Sequence, residues 1–222
     1  MGKRGPKPKR LISEEWTPEL AYAIGLIATD GNLGRRFYYI NLTSKDKEQV
    51  ENFSKCLGVK LTIGRKGRGA GMAKKYYVIQ FKNKIFYSFL LTLGLTPNKS
   101  KTLGAIKVPK ELFWDFLRGC YDGDGSSYSY WDTRWRSSFM FYTDFVSASK
   151  AHIDWLREEI FSRIDVRGAI SRGKRASVYQ LKYAKSDSLK LLRKMYPSKR
   201  VVCLSRKRLK IERILATVGE KL

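Results

Sequence analysis

Two stretches of the chain show the same order of apolar and polar residues, and each begins with an apolar segment of helical length. The first, residues 20–32, follows Thr17 and Pro18, which are typical of the N-cap and first position of a helix. The second, residues 111–126, is apolar over a similar length. Both segments end in an Asp-Gly turn, so the pattern predicts two equivalent helices with acidic C-terminal ends.

Behind each predicted helix, the pattern changes to the two-residue alternation of strands. Residues 35–43 place Tyr38, Ile40 and Leu42 on one face, and residues 134–146 occupy the equivalent position in the second stretch. The remaining elements also occur in pairs, namely helices at 44–58 and 147–161, hairpins at 59–69 with 74–82 and at 166–175 with 176–183, and helical pieces at 84–94, 98–105, 186–196 and 203–217.

The closing strands of the two stretches are similar in sequence, since Val78–Lys82 reads like Val178–Lys182. The fold class is therefore predicted to be α+β, with two pseudo-symmetric αββαββα repeats and two antiparallel sheets.

These patterns predict four parts of the chain. Residues 1–16 form a basic N-terminal tail, residues 17–105 the first repeat, residues 106–110 a linker and residues 111–222 the second repeat. The tail begins with cations and prolines, which is compatible with a disordered, solvated segment and equally with an arm that enters the minor groove of DNA.

The composition points to a polyanionic partner. The chain has 222 residues, of which 45 are Lys or Arg and 20 are Asp or Glu, and the net charge is +25. The excess of cations is spread over both stretches, which favours nucleic acid over a membrane surface. The three scattered cysteines form neither a disulfide framework nor a zinc box, and a single histidine argues against most zinc enzymes, His-dependent nucleases and Ser-His-Asp hydrolases.

The hydropathy pattern argues against membrane insertion and secretion. No apolar run reaches the ~18 residues of a transmembrane helix, and the first residues lack the hydrophobic segment of a signal peptide. We expect a cytoplasmic, nucleoid or organellar-matrix location.

The acidic turn of the second stretch contains Asp122 and Asp124. A plain turn would explain one such sequence but not two at equivalent positions. An EF-hand calcium loop would need Gly at its sixth and Glu at its twelfth position, where the chain has Ser127 and Thr133, so that interpretation fails.

Small residues recur along both predicted helices at a spacing of four. They are Ala21, Gly25 and Thr29 in the first and Gly119 and Gly123 in the second. Such a row allows another helix to approach closely, so we expect the two helices to pack against each other.

That packing would bring Asp30 and Asp124 side by side at the helix ends. Two adjacent carboxylates repel each other unless cations lie between them. Oxygen ligands without histidine favour Mg²⁺, and carboxylates, metal and a basic surface together indicate phosphodiester hydrolysis.

Residues Ala23–Gly31 and Leu117–Gly125 both resemble the LAGLIDADG motif. The chain resembles a single-chain, two-motif LAGLIDADG homing endonuclease, and the resemblance covers nearly everything from Thr17 to the C-terminus. It implies that the motif helices form the interface between two αββαββα halves, whose sheets make a DNA-binding saddle. It also implies a monomer that makes a double-strand break with short 3′ overhangs at a long, asymmetric site, as in intron homing.

The eighth motif position of the family is the metal-binding carboxylate, here Asp30 and Asp124, and the preceding carbonyl, here of Thr29 and Gly123, also helps to hold metal. The resemblance implies two or three divalent cations, Mg²⁺ in the native reaction, shared by the two aspartates. The sequence departs from the family pattern at Ala28, Arg118 and Tyr121.

The resemblance further implies a lysine and a polar residue beside each carboxylate. Lys207 is the candidate lysine of the second half, and either Lys99 or Lys101 that of the first. Each could equally be an ordinary phosphate contact. Ser44 and Ser147 are the candidates for the polar, water-binding position.

The DNA contacts expected from this reading fall into two groups. Base contacts are expected from Arg36, Tyr39, Asn41, Gln80, Lys82, Arg134, Arg136, Gln180 and Lys182. Phosphate contacts are expected at loop tips, from Arg65, Lys66, Arg68, Arg172, Lys174 and Arg175. For the aromatic residues Tyr128, Tyr130, Trp131 and Trp135, packing within the hairpin is favoured over base contact.

The predicted function is therefore a Mg²⁺-dependent, site-specific endonuclease acting on double-stranded DNA. An RNA-splicing maturase has the same fold and basic surface, so RNA is a possible partner. A non-cleaving DNA-binding regulator would have no need of both aspartates, and a basic RNA-binding domain would leave the acidic turns without a role.

Overall fold

The computed structural model describes residues 9–67, 73, 75–173 and 177–222, and its elements follow the predicted order. The first half contains α1 (Pro18–Thr29), β1 (Gly31–Leu33), β2 (Tyr39–Ser44), α2 (Lys47–Cys56), β3 (Ile63–Lys66), β4 (Tyr76–Lys82), α3 (Lys84–Thr92) and a 3₁₀ turn (Lys99–Lys101). The second contains a 3₁₀ turn (Lys110–Leu112), α4 (Phe113–Asp124), β5 (Ser126–Trp131), β6 (Phe139–Ser147), α5 (Lys150–Ile164), β7 (Ala169–Ser171), β8 (Tyr179–Tyr183), α6 (Lys185–Met195) and α7 (Ser205–Ala216).

Each half is an antiparallel four-stranded sheet whose inner face is covered by helices. The strand orders, β1-β2-β4-β3 and β5-β6-β8-β7, are the same. Ile40 and Leu42 of β2 and Leu181 of β8 are fully buried beneath helices, because alternate residues of each strand face the core. The predicted α+β class with two αββαββα repeats is confirmed. Over the part of the chain that the structure describes, no helix is long and apolar enough for a bilayer span.

The helices α1 and α4 pack against each other at the centre of the molecule through backbone atoms. A Cβ on Gly25 would lie 2.2 Å from the carbonyl oxygen of Phe116, and one on Gly119 would lie 2.1 Å from that of Tyr22. The expected close approach of the two motif helices is therefore present, and glycine is the residue that permits it.

The strands before the closing hairpins begin later than predicted. Residues 34–38 form a turn in which Phe37 and Tyr38 have positive φ, and β2 begins only at Tyr39. Tyr38 therefore does not share the strand face of Ile40. The predicted two-residue alternation was wrong at this residue. The second strand likewise begins at Phe139, after a turn.

Two further expectations about the elements need correction. The helical piece expected at 98–105 is only the 3₁₀ turn Lys99–Lys101. The expected alignment of the closing strands β4 and β8 is also wrong by two residues. In the structure, Ile79 lies opposite Leu42 and Leu181 lies opposite Phe145. Since β1 and β5 pair equivalently with β2 and β6, Ile79 corresponds to Leu181.

Candidate active site and nucleic-acid interface

The two predicted metal ligands lie at the C-terminal ends of the paired helices. Asp30 is the C-cap of α1 and Asp124 the last residue of α4. Each helix then turns sharply into a strand. A Cβ on Gly31 would lie 2.5 Å from Ile27 Cα, and one on Gly125 would lie 2.7 Å from Tyr121 Cα, so the glycine that follows each aspartate is required by the turn.

The electrostatics of the two carboxylates favour a cation between them. Desolvation, followed by the charge of Asp124, raises the pKa of Asp30 to about 6. Asp124 is accessible to solvent, yet crowding by protein atoms also raises its pKa. A divalent cation held by both groups would reverse these shifts, since it stabilises the charged form of each carboxylate.

Two buried lysines flank the carboxylates. Lys99 donates a hydrogen bond from Nζ to the carbonyl oxygen of Gly31 at 2.5 Å. Lys207 donates from Nζ to the carbonyl oxygens of Tyr121 at 2.6 Å, Gly123 at 3.3 Å and Gly125 at 2.7 Å. Each ammonium group is thus fixed at the turn that carries an aspartate.

Burial lowers the pKa of both Lys99 and Lys207 to about 8, while Asp30 and Asp124 act in the opposite direction. Both groups remain cationic at neutral pH. Lys101, the other candidate of the first half, is exposed. The geometry therefore places Lys99, and not Lys101, opposite Lys207.

The first carboxylate is oriented by a side chain that the sequence reading did not identify. Gln49 of α2 donates from Nε2 to Asp30 Oδ2 at 2.7 Å, and its Oε1 accepts from Ser44 Oγ at 2.9 Å. Ser44 therefore lies one side chain away from Asp30. Gln49 could have been found from the sequence as the fifth residue after Ser44, on the inward face of the helix.

In the second half, the equivalent fifth residue after Ser147 is the only histidine of the chain. Ser147, His152 and Asp124 line a cavity of about 20 Å³ between α4 and α5. The Nδ1 atom of His152 lies 2.8 Å from the carbonyl oxygen of Gly104, and burial lowers the pKa of this histidine to about 4. The second site therefore has a neutral imidazole where the first has an amide, and apolar residues such as Leu103, Phe145 and Leu156 form much of the cavity wall.

Two residues of the second motif, Arg118, which departs from the family pattern, and Asp122, anchor the segment that leads to Lys207. Arg118 is buried and donates from Nε to the Val202 carbonyl at 2.8 Å and from Nη1 to the Met195 carbonyl at 2.6 Å. Asp122 accepts through Oδ2 from the Leu204 backbone at 2.7 Å. These contacts fix the chain between α6 and α7.

Asp122 also joins the two motif helices, because its Oδ2 accepts a hydrogen bond from the Tyr22 hydroxyl of α1 at 2.7 Å. Burial raises the pKa of this carboxyl to about 6. Neither contact could be read from the sequence, because Tyr22 and Leu204 are distant from Asp122 along the chain.

The N-terminal end of α7 is held by the opposite half of the molecule. Arg206 forms a two-pronged ion pair with Asp46, at 2.8 and 2.7 Å. The Ser205 backbone donates to Glu48 Oε2 at 3.0 Å. Lys207 therefore depends on both halves for its position.

The donor set suits Mg²⁺. It consists of two carboxylates and nearby backbone carbonyls, and an oxygen-only shell completed by water and phosphate is typical of this ion. The described residues contain no group of three or more His, Cys, Asp or Glu side chains that could hold a metal by itself. Water and phosphate oxygens would supply the remaining ligands of a magnesium ion held by the two carboxylates.

The outer faces of the two sheets carry most of the predicted base-contacting residues. In the first sheet, Tyr39 is paired with Lys82 and Asn41 with Gln80, so the four side chains share the solvent face. In the second, Gln180 and Lys182 lie on the corresponding face, opposite Val146 and Asp144.

Other predicted contacts occupy different places from those expected. Arg36, Arg134 and Arg136 lie in the exposed turns between strands rather than on a sheet face. Arg65 and Lys66 belong to β3 rather than to a loop tip, and Arg65 shares the helix-covered side with Tyr77, whose ring centroid is 4.3 Å away.

The remaining predictions concern the second hairpin loop and the aromatic residues. Arg172 follows β7 and donates from Nη1 to the Tyr179 hydroxyl at 3.2 Å. Arg68, Lys174 and Arg175, like the first half of the N-terminal tail, lie outside the described residues. Trp131 packs on Phe139, but the packing expected for Trp135 was wrong, since 72% of this residue is exposed.

No protein-family model and no curated protein matches the sequence. Solved structures match its fold. The meganuclease I-SmaMI, bound to uncleavable DNA, has a TM-score of 0.62 at 12% identity over 90% of this chain and 92% of that chain. The homing endonuclease I-DmoI has a TM-score of 0.56 at 18% identity over 82% of this chain and 96% of that chain. I-DmoI has also been solved with DNA and Mn, and with DNA and Ca.

The N-terminal LAGLIDADG domain of DUF199/WhiA matches with a TM-score of 0.55 at 15% identity, over 90% of this chain and 88% of that domain. The chain spans 64% of the full-length DUF199/WhiA of Thermatoga maritima. The resemblance to LAGLIDADG proteins is therefore confirmed at the level of the fold, which the chain shares with nucleases and with WhiA.

Proposed function

We propose that this protein is a site-specific endonuclease that cuts one phosphodiester bond in each strand of a long, asymmetric DNA target with the help of Mg²⁺. The observation that carries this proposal is the pair of motif carboxylates, each flanked by a buried lysine, between two outward-facing sheets. A protein that only bound nucleic acid would gain nothing from placing two carboxylates where a phosphate backbone approaches.

Asp30 and Asp124 would hold the metal, together with the carbonyl oxygens of Thr29 and Gly123. When bound, Mg²⁺ activates water for attack and neutralises charge on the phosphate and the leaving oxygen. The residues of the chain supply the orientation, since Gln49 fixes the carboxylate of Asp30 through its amide.

Lys99 and Lys207 would stabilise negative charge at the scissile phosphates. Their ammonium groups are already held by backbone carbonyls, so little reorganisation is needed when DNA arrives. Ser44 would act through Gln49, and Ser147 would bind water beside Asp124. Each strand would thus be served by one lysine and one serine, and the two serines would act in different ways.

The two sheets would lie in the major groove on either side of the cut. Their solvent faces carry Lys82 and Gln80 in one half and Lys182 and Gln180 in the other, in different surroundings. Because the halves differ, the target need not be palindromic. A monomer is expected, since α1 already has α4 as its partner within the chain.

The second candidate is a non-cleaving DNA-binding regulator of the same fold, which the N-terminal LAGLIDADG domain of DUF199/WhiA also has. A maturase, which would bind structured RNA, is the third. Both retain the basic sheets, and they differ from the nuclease in what happens when Mg²⁺ is added.

The test is to incubate a randomised duplex library with the protein in Mg²⁺, and in Ca²⁺ to record binding without cutting. Wild type should cut both strands at one long site. Asp30→Asn and Asp124→Asn should each abolish double-strand cleavage and keep DNA binding, because they remove a metal ligand and leave the sheets intact. Asp154→Asn is the matched control, since this carboxylate pairs with Lys150 on the surface of α5.

Binding without cleavage in Mg²⁺ would reject the nuclease and favour the regulator. Tight binding of a structured RNA without any DNA cleavage would favour the maturase. Cleavage that persists in both aspartate variants would contradict the assignment of the site.

A further inference from the structure

The outer face of the second sheet carries a row of tyrosines, Tyr128, Tyr142 and Tyr130. Tyr128 and Tyr142 are cross-strand partners whose rings are stacked, with centroids 5.3 Å apart. Tyr130 stacks on both, at 6.5 Å from Tyr128 and 6.1 Å from Tyr142, and is 47% exposed. Because the ring faces pack largely against each other, the ring edges are the parts left for contact with an approaching partner.

Polar groups adjoin the inner end of this row. The ammonium group of Lys182 lies 5.4 Å from the centroid of Tyr128 and 5.5 Å from that of Tyr142, which fixes its position by cation–π attraction. Closer to the catalytic carboxylates, Asp144 accepts hydrogen bonds from Ser126 at 2.5 Å and from Gln180. The face is therefore polar near the cut and aromatic further out.

The first sheet has different residues at the equivalent positions. At the inner level Asn41 has Asn32 and Gln80 as its two cross-strand partners, where the second sheet has Asp144 between Ser126 and Lys182. At the next level Tyr39 occupies the position of Tyr142, but Gly34 occupies that of Tyr128, so Tyr39 has no cross-strand ring to stack on and contacts Phe37 edge-on at 6.3 Å instead. Among the described residues, only the second sheet presents a row of three stacked tyrosines.

We propose that the second half recognises thymines in its half-site, through contact of the tyrosine ring edges with the 5-methyl groups. This inference rests on the proposed function. In the major groove the methyl group is the apolar feature that marks thymine, and apolar side chains contact it. The excess of cations on the protein accounts for the electrostatic attraction to the duplex, and the uncharged tyrosines do not contribute to that charge term.

A duplex suits this surface better than a single strand. Single-stranded bases bind by stacking on free aromatic faces, and here Tyr128 and Tyr142 cover each other's faces. Ring edges standing on an open sheet suit the floor of a major groove, which admits a β-ribbon.

The strand geometry gives the spacing. Residues on one face of a strand recur about every 6.8 Å, which corresponds to about two base pairs. The level of Tyr128 and Tyr142 and the level of Tyr130 should therefore specify thymine at two places about two base pairs apart. Both thymines should lie farther from the cut than the base pair that Lys182 contacts.

The test is a binding selection in Ca²⁺ from two matched randomised libraries, one containing thymine and the other deoxyuridine, which lacks the methyl group. Wild type should select thymines in one half-site from the first library and lose that preference in the second. Replacing each selected thymine by deoxyuridine in a fixed duplex should weaken binding about four-fold, the contribution of one buried methyl group.

Two variants show which half of the protein recognises which half-site. Tyr142→Ser should remove the response to deoxyuridine, whereas Asn41→Ala should change the other half-site and leave that response intact. The deoxyuridine comparison uses the wild-type protein, so it stands even where a variant fails to fold.

The outcomes separate this inference from the function on which it rests. If two half-sites are selected and the deoxyuridine library gives the same consensus, thymine recognition is wrong and the DNA-binding function stands. If neither library is enriched, DNA recognition itself fails, and the inference fails with it.

Discussion

The Gly119→Ala substitution tests the central helix pair, because it adds one methyl group where two backbones meet. The new Cβ would lie 2.1 Å from the Tyr22 carbonyl oxygen and 3.0 Å from Gly25 Cα, whereas ordinary contacts begin at 3.4 Å. Both obstacles are backbone atoms, so no side-chain rotation can relieve the overlap. The helices would have to separate by about 1 Å, and the packing along their whole contact would suffer.

The sign of the effect is opposite to that expected from helix propensity. Alanine in place of a mid-helix glycine favours the helix by about 1 kcal/mol. Overpacking of a well-packed core costs about 1–3 kcal/mol and sometimes more, and a rigid backbone obstacle places this site at the upper end. We therefore expect a net loss of about 3 kcal/mol, equivalent to a fall in Tm of about 6–12 °C for a chain of this size.

The measurement is thermal and urea unfolding of Gly119→Ala beside Gly104→Ala. A Cβ on Gly104 meets no heavy atom within 4 Å, and its φ is not positive, so this control should stay within about 0.5 kcal/mol of wild type. A Gly119→Ala protein as stable as the control would refute the backbone-to-backbone packing of α1 and α4.

Two further predictions concern the buried charges. Lys99→Met should lower the rate of DNA cleavage at least about 10²-fold with binding retained, while Lys101→Met should leave the rate unchanged. Equal effects of the two substitutions on the rate would contradict the placement of Lys99 in the site. Asp122→Ala should lower the free energy of unfolding in urea by about 3 kcal/mol, because the Tyr22 hydroxyl and the Leu204 amide lose their acceptor. Asp122→Asn should lower it by less. Since the pKa of Asp122 is raised to about 6, this group adds stability as the pH falls from 7 to 4, and a pH dependence unchanged in Asp122→Asn would reject that role.

The sequence was sufficient for the parts of the molecule that depend on periodicity and on repetition. Small residues at a spacing of four predicted the helix pair, and duplicated Asp-Gly turns predicted where Asp30 and Asp124 emerge. The turn at 34–38 was missed because it depends on the positive φ of Phe37 and Tyr38, residues for which the left-handed region is unfavourable.

The register of the closing strands was missed for a different reason. A shift of two residues leaves every side chain on the same face of a strand, so the hydrophobic pattern of Val78–Lys82 is compatible with both registers. The choice between Lys99 and Lys101 is of the same kind, since both belong to one short 3₁₀ turn and only the tertiary structure decides which is buried.

The two lysines also explain why the site requires both halves of the molecule. The segment that follows Lys99 crosses to the second half, where Ser149 donates to the Leu103 carbonyl oxygen at 2.5 Å. The segment that precedes Lys207 crosses to the first half, where Asn52 donates to the Cys203 carbonyl oxygen at 2.9 Å. Each ammonium group is thus anchored at the motif of its own half by a chain segment that the other half holds in place. A change in the packing of α1 against α4 would therefore displace both lysines together with both carboxylates, which ties the chemistry proposed for one strand to that proposed for the other.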